Sequence, residues 1–182
     1  MIRLVDFLLS GMGCVVLFPV FVLIYIIGLF DTGQPIFKQV RVGKDRKLFV
    51  LYKFRTMSVD TASVASHLAS STSITKLGSF LRRTKLDELP QLINVFRGDM
   101  SLVGPRPNLD NQIELVELRD ILGVYKVRPG ITGLAQVNNI DMSQPKLLAE
   151  TDAIMIRELT LKIYFKLIFS TVLGGGNGDA VK

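Results

Sequence analysis

Residues 82 to 107 read RRTKLDELPQLINVFRGDMSLVGPRP, where two adjacent acids, Asp87 and Glu88, stand among arginine, lysine, glycine and proline. These residue types suit phosphate chemistry. A carboxylate can attack phosphorus or hold a divalent metal, a guanidinium grips two phosphate oxygens at once, and Gly-Pro turns let backbone approach a charged ligand. Asp87 and Glu88 are therefore the candidate catalytic and metal-binding pair. Arg82 and Arg83 are candidates to hold an anion beside them, although either alone could face solvent. Asp87 could also be a plain helix cap, but a bare cap does not need the cations that flank it.

The elements around the pair must position it. Leu77 to Arg83 predicts a short helix, and a second starts near Pro90, where a missing N–H is harmless. Leu89, Ile93 and Phe96 are expected to bury one face of that second helix. Asp87 and Glu88 then just precede a helix N-terminus, whose unpaired N–H groups favour carboxylate or phosphate. Arg97 to Pro107 reads as a turn-rich loop in which two prolines hold Arg106 on stiff backbone, and stiffness lowers the entropy lost on binding. Asp99 reads as a turn-maker there. Gln112 to Leu122 predicts an amphipathic helix, and Val127 to Gly133 (VRPGITG) a second rigid turn, with Arg128 inside it.

Upstream, PIFKQVRV and KLFVLYKF flank Gly43-Lys44-Asp45-Arg46 and predict a β-hairpin. Val59 to Ser73 is a run of small and hydroxylated residues, read as a surface loop with a weak helix at most. The only histidine, His67, lies in it and reads as a solvated loop residue, since no second histidine can complete a metal pair. Leu159 to Leu173 carries Lys162 and Lys166 among bulky apolar residues and no acid. That pattern fits a helix lying flat at lipid headgroups, with a helix of the core as the alternative. Gly174 to Gly176 ends it, and the last residues read as frayed.

Residues 7 to 30 form an uncharged apolar run of 24 residues. As helix it would extend roughly 36 Å, enough to cross a bilayer with some tilt. No cleavage site follows, so it reads as a retained anchor. Arg3 precedes it, and Lys38, Arg41, Lys44, Arg46 and Lys47 follow, which favours a cytoplasmic location for the following domain. Pro19 removes a mid-helix hydrogen bond, which suits either a bent spanning helix or a hairpin that enters and leaves one leaflet.

The net charge of +6 is uneven: residues 36 to 106 hold thirteen Lys and Arg against five acids, residues 107 to 158 five against eight. A basic half beside an anchor fits anionic headgroups, a phosphorylated substrate or nucleic acid. Nucleic acid is disfavoured, because neither a basic recognition helix nor an aromatic stacking ladder is present. A non-catalytic basic adaptor that recruits anionic ligands to the membrane is the competing functional class. Cys14, the only cysteine, excludes an intrachain disulfide.

LRRTKLDELPQLINVFRGDMSLVGPRP, with PIFKQVRVGKDRKLFVLYKFRTM before it and YKVRPGITGLAQVN after it, resembles the bacterial sugar transferases, the monotopic phosphoglycosyl transferases. The likeness covers nearly the whole chain. It implies an α+β fold: a re-entrant membrane helix over residues 1–31, then a cytoplasmic, mostly helical catalytic domain over 32–182 with a short β-hairpin and interfacial amphipathic helices. It also implies transfer of a phospho-sugar from a UDP-sugar to polyprenol phosphate, with release of UMP and with magnesium as cofactor. The implied place is the cytoplasmic face of the bacterial inner membrane, against membrane lipid, with no nucleic acid and with room for a homodimer.

By the same resemblance Asp87 is the nucleophile that carries a covalent phospho-sugar, and Glu88 coordinates magnesium or positions Asp87. Lys53 and Arg55 of KFRTM, Pro105 and Arg106 of GPRP, and Arg128 of RPGITG fall at nucleotide-sugar or scaffold positions, although Arg55 could equally pair with an acid inside the fold. Independently, a carboxylate attacks an anionic diphosphate poorly unless cations offset the repulsion, and Arg82, Arg83, Arg106 and Arg128 could do so. Pro19 occupies the place of the family's helix break, with Phe18 where serine is usual. Leu134 replaces a common tryptophan, and Asn139-Ile140 a common Gly-Arg. The chain starts directly at the apolar run and so resembles the family's short form.

Overall fold

The computed structural model describes residues 1–59 and 73–176. His67, nearly all of the expected loop around it and the expected frayed end lie outside the described residues. The apolar run forms two helices, α1 (Ile2–Val16) and α2 (Phe18–Asp31), bent by 60° at Leu17. Pro19 sits in the first turn of α2, where its ring starts a helix rather than kinking one. No single helix among the described residues is long and apolar enough to cross a membrane, but the bent pair passes by length and composition.

The hairpin is present as β1 (Ile36–Val42) and β2 (Leu48–Phe54), antiparallel from Ile36↔Phe54 to Val42↔Leu48, with a 3-10 turn at Lys44–Arg46. Its faces run against the usual rule. Gln39, Arg41, Leu51 and Lys53 are buried, while Val40, Leu48 and Val50 are exposed. Alternation along a strand sends neighbouring side chains to opposite faces, so turning Arg41 and Lys53 inward turns Val40 and Val50 out.

Beyond the hairpin come α3 (Lys76–Thr84), α4 (Gln91–Arg97), β3 (Ser101–Val103), α5 (Ile113–Ile121), β4 (Gly130–Thr132), α6 (Leu134–Val137), α7 (Pro145–Glu158) and α8 (Leu161–Val172). Strands β3 and β4 lie inside the two segments expected as rigid turns and pair in parallel, Ser101↔Gly130 and Val103↔Thr132. Gly104 and Gly130 permit this: a Cβ on Gly130 would stand 2.0 Å from the Gly104 nitrogen, and one on Gly104 2.5 Å from the Arg128 oxygen. Only hydrogen fits at such distances.

The expected burial holds in part for Leu89, half-buried against Ile24, Phe54 and Leu81, and is corrected for Ile93 and Phe96. The buried residues of α4 are Gln91, Asn94 and Val95, whereas Ile93 and Phe96 stay over 40% exposed, at 42% and 43%. The reason is the hairpin edge beside α4. Asn94 Nδ2 donates to Val50 O at 2.7 Å and its Oδ1 accepts from Tyr52 N at 3.1 Å, so an amide faces inward to complete backbone pairing. Phe96 instead stacks on Phe7 of α1 at 4.7 Å.

Both ends of the apolar pair are fastened to the rest of the chain. Arg3 donates to Val95 O and Phe96 O at the end of α4, and Asp6 of α1 accepts from Ser101, Leu102 N and Tyr164. On α2, Ile24 packs with Phe54 and Leu81, and Asp31 accepts from Thr75. Helix α8 buries Tyr164 and Leu167 while leaving Phe169 and Val172 exposed, so one face joins the core and the other carries exposed apolar side chains.

Candidate active site

Helix α3 ends where Lys85 takes a left-handed conformation, φ 58°, and turns the chain into a 3-10 turn over Leu86–Glu88. Glycine usually occupies such a position, because a Cβ is strained there. The turn is thus a separate element ahead of Pro90 and α4, and it buries both acids, Asp87 at 3% and Glu88 at 9% exposure.

Two cations from distant segments converge on Glu88. Lys53 Nζ of β2 lies 3.2 Å from Oε1, and Arg106 Nη2 lies 3.1 Å from the same oxygen. They line a narrow cleft together with Arg41, Gln91, Pro107 and Gly130. Charge-assisted pairs of this kind are strong where water is largely excluded. Asp87 is the neighbouring residue, more deeply set, and is itself engaged within the fold.

Arg106 is held from behind through its backbone. Arg119 Nη1 donates to Arg106 O at 2.9 Å and to Asn108 Oδ1 at 2.8 Å, and Arg119 in turn grips Asp152 through Nε at 3.1 Å and Nη2 at 2.6 Å. Arg119 is 1% exposed and Asp152 fully buried. Burial pushes the Asp152 carboxyl above the usual aspartate value, and the Arg119 charge pulls it back. Arg41 Nη1 adds a bond to Pro107 O at 3.1 Å, so two buried guanidiniums fix both residues of the Arg106-Pro107 step.

The other expected residues are spread out. Pro105 is buried and its carbonyl accepts from Gly130 N at 2.9 Å, a scaffold position between the two loops. Arg82 Nε donates to Thr56 Oγ1 at 2.9 Å, and Arg83 is exposed. Arg55 leans on Phe37 and donates to Gln34 O at 2.8 Å. Arg128 donates through Nε to Gly98 O at 2.8 Å and lines a different groove from the Glu88 cleft. Asp99 accepts from Asn94 Nδ2 at 3.2 Å, a turn-making contact as expected.

Sequence reasoning passed over Arg41, Arg119 and Asp152. A signal existed for the last two. Leu115, Val116 and Arg119 share the buried stripe of α5, and Leu148, Ala149 and Asp152 that of α7, so each apolar stripe contains one charge. Charges on facing apolar stripes point to a buried pair.

A family model described as bacterial sugar transferase matches residues 1–175. The chain belongs to the bacterial sugar transferase family. Among its relatives, the UDP-glucose:undecaprenyl-phosphate glucose-1-phosphate transferase of Klebsiella pneumoniae is 37% identical over 95% of this chain and 39% of its own length. The uncharacterized sugar transferase EpsL of Bacillus subtilis is 38% identical over 91% of this chain and 80% of its own. The undecaprenyl-phosphate galactose phosphotransferase of Salmonella typhimurium is 36% identical over 76% of this chain and 33% of its own. This family member thus spans well under half of the first and third of these relatives.

Proposed function

We propose that the chain transfers a phospho-sugar from a UDP-sugar to polyprenol phosphate and releases UMP, through a phospho-sugar ester on Asp87. The observation that carries this is the Glu88 carboxylate gripped by Lys53 and Arg106 beside buried Asp87, in a cleft that also holds Arg41. The activities by which the relatives are named, on UDP-glucose and on undecaprenyl phosphate, support donor and acceptor.

In the first displacement an Asp87 oxygen attacks the phosphorus that bears the sugar, and the bond to the bridging oxygen breaks with its electron pair leaving on UMP. In the second, an oxygen of polyprenol phosphate attacks the same phosphorus and Asp87 leaves as carboxylate. Glu88 draws Lys53 and Arg106 together, and their charge offsets the repulsion between anionic nucleophile and anionic diphosphate. Magnesium, when bound, supplies further neutralisation at the diphosphate. Among the described residues no cluster of three or more acidic, histidine or cysteine side chains forms. By the family resemblance Asp87 and Glu88 would be its protein ligands, which fits a cation usually held by one or two carboxylates with phosphate oxygens and water.

The test is Asp87→Asn with a panel of UDP-sugars, polyprenol phosphate and magnesium. UMP release is expected to fall at least a thousandfold, as for other covalent nucleophiles, with membrane association intact. With UDP-sugar alone, the parent protein gains the mass of a phospho-sugar, mapped to residue 87. An adduct on residue 88, or undiminished turnover of the variant, excludes Asp87 as nucleophile.

The same reading places α1 and α2 in the cytoplasmic leaflet of the bacterial inner membrane as a re-entrant anchor. Three features support it: the 60° bend, apolar side chains such as Leu8, Met12, Val15 and Leu23 each more than half exposed, and the fastening of both helix ends to one body. In a Cys14→Ser background, cysteines at positions 3 and 38 should both react with an impermeant thiol reagent from the cytoplasmic side. Labelling of position 3 only from the opposite side overturns this placement.

A further inference from the structure

A second groove, about 220 Å³, lies on the other side of the two loops that form the Glu88 cleft: Gly104 and Pro105 with Val127 and Arg128 line the groove, while Arg106 and Pro107 with Gly130 and Ile131 line the cleft. Four cations ring the groove, Arg3, Lys44, Lys126 and Arg128, against one acid, Asp6. That acid is already engaged, its Oδ1 accepting from Ser101 Oγ at 3.0 Å, Leu102 N at 2.9 Å and Tyr164 OH at 2.5 Å. The ion pairs among the described residues include neither Lys44 nor Lys126. The groove therefore carries a surplus of positive charge. Its remaining wall is apolar, with Ile2, Met155 and Leu159.

We propose that this groove binds the phosphate headgroup of an anionic phospholipid. The ligand must combine a phosphate with carbon, because cations and apolar side chains share one concavity. A lipid is favoured over a soluble phosphate by where the groove lies. Its walls come from the first turns of α1 and from Leu159, just before α8, and both helices carry exposed apolar side chains, including Leu4 and Leu8 on α1 and Phe169 on α8. A headgroup seated there has its acyl chains beside surfaces that already face a bilayer in the reading above. The inference rests on that membrane placement, not on Asp87 chemistry.

The experiment measures partition of the full chain onto vesicles of phosphatidylcholine alone and of phosphatidylcholine with phosphatidylglycerol. The parent binds the mixed vesicles more tightly, and Lys44→Glu/Lys126→Glu lowers that binding on the order of tenfold or more, since each basic residue near an anionic surface contributes about fivefold. Binding to phosphatidylcholine is unchanged, as is UMP release in neutral detergent. Lys38→Glu/Lys146→Glu makes the same charge change outside the groove and should lower the mixed-vesicle binding far less. An equal loss in that control overturns the groove assignment. So does inorganic phosphate that displaces the protein beyond chloride at matched ionic strength, which assigns the groove to a soluble ligand. Failure to bind either vesicle removes the membrane placement itself, whereas turnover of Asp87→Asn bears only on the chemistry.

Discussion

Two buried acids, Glu88 and Asp6, each gather donors from distant segments, and they differ in what those donors are. Glu88 is met by two full cations, Lys53 and Arg106, with Arg41 in the same cleft. Asp6 is met by the hydroxyls of Ser101 and Tyr164 and by one backbone N–H. At Glu88 the partners are full cations that line a cleft with it. At Asp6 one negative charge is shared over neutral hydrogen bonds, and the result joins α1 to β3 and α8. Identical carboxylate chemistry makes an ion-pair cluster at a cleft in one place and a joint between elements in the other, according to the charge of the partners.

The largest effect should come from the pair that supports the cleft. Arg119→Leu leaves Asp152 charged and buried without its partner, and breaking such a pair costs about 3–5 kcal/mol, read by denaturant unfolding. Arg119→Met with Asp152→Leu should recover most of that stability, since both charges go together. It should not recover turnover, because Arg106 O still loses the Arg119 donor and Asn108 Oδ1 keeps only that of Tyr125. Full recovery of kcat/KM in the double variant would show that the pair serves the core alone.

At the cleft itself, Glu88→Gln removes the charge that draws Lys53 and Arg106 together. Turnover is expected to fall roughly a hundredfold, the scale of losing one preorganised electrostatic contact, with a rise in KM for the UDP-sugar. An unchanged KM and kcat would mean the two cations are placed without Glu88.

The cleft was more legible in the sequence than its support. Asp87, Glu88 and Arg106 stood out because charged residues beside glycine and proline announce close approach to a ligand, Lys53 came only from the resemblance to the family, and the hairpin followed from strand pattern and turn residues. The parallel β3–β4 contact did not, because three-residue strands carry no periodicity, and what permits them is the absence of a Cβ at Gly104 and Gly130. The inward face of α4 was misread because Asn94 outcompetes Ile93 and Phe96: a hairpin edge needs a donor and an acceptor, and hydrophobicity counts neither. Asp6 gave no sign at all, since its partners lie 95 to 158 residues away.

At that joint the expected effect is smaller. Tyr164→Phe deletes the hydroxyl that donates to Asp6, a bond to a charged acceptor contributing about 2 kcal/mol. It also carries a pH signature. Burial, then the hydrogen bond and charge of Asp6, push the Tyr164 phenol above its ordinary value of 10.0. The folded chain therefore keeps a proton that the unfolded chain loses above about pH 10, and by linkage stability is full below that pH and declines as pH rises past it. In Tyr164→Phe the decline should be shallower between pH 10 and 12, measured as urea midpoints in detergent. A parallel decline in both proteins would place the alkaline sensitivity elsewhere and leave Asp6 as a joint held by Ser101 and Leu102 alone.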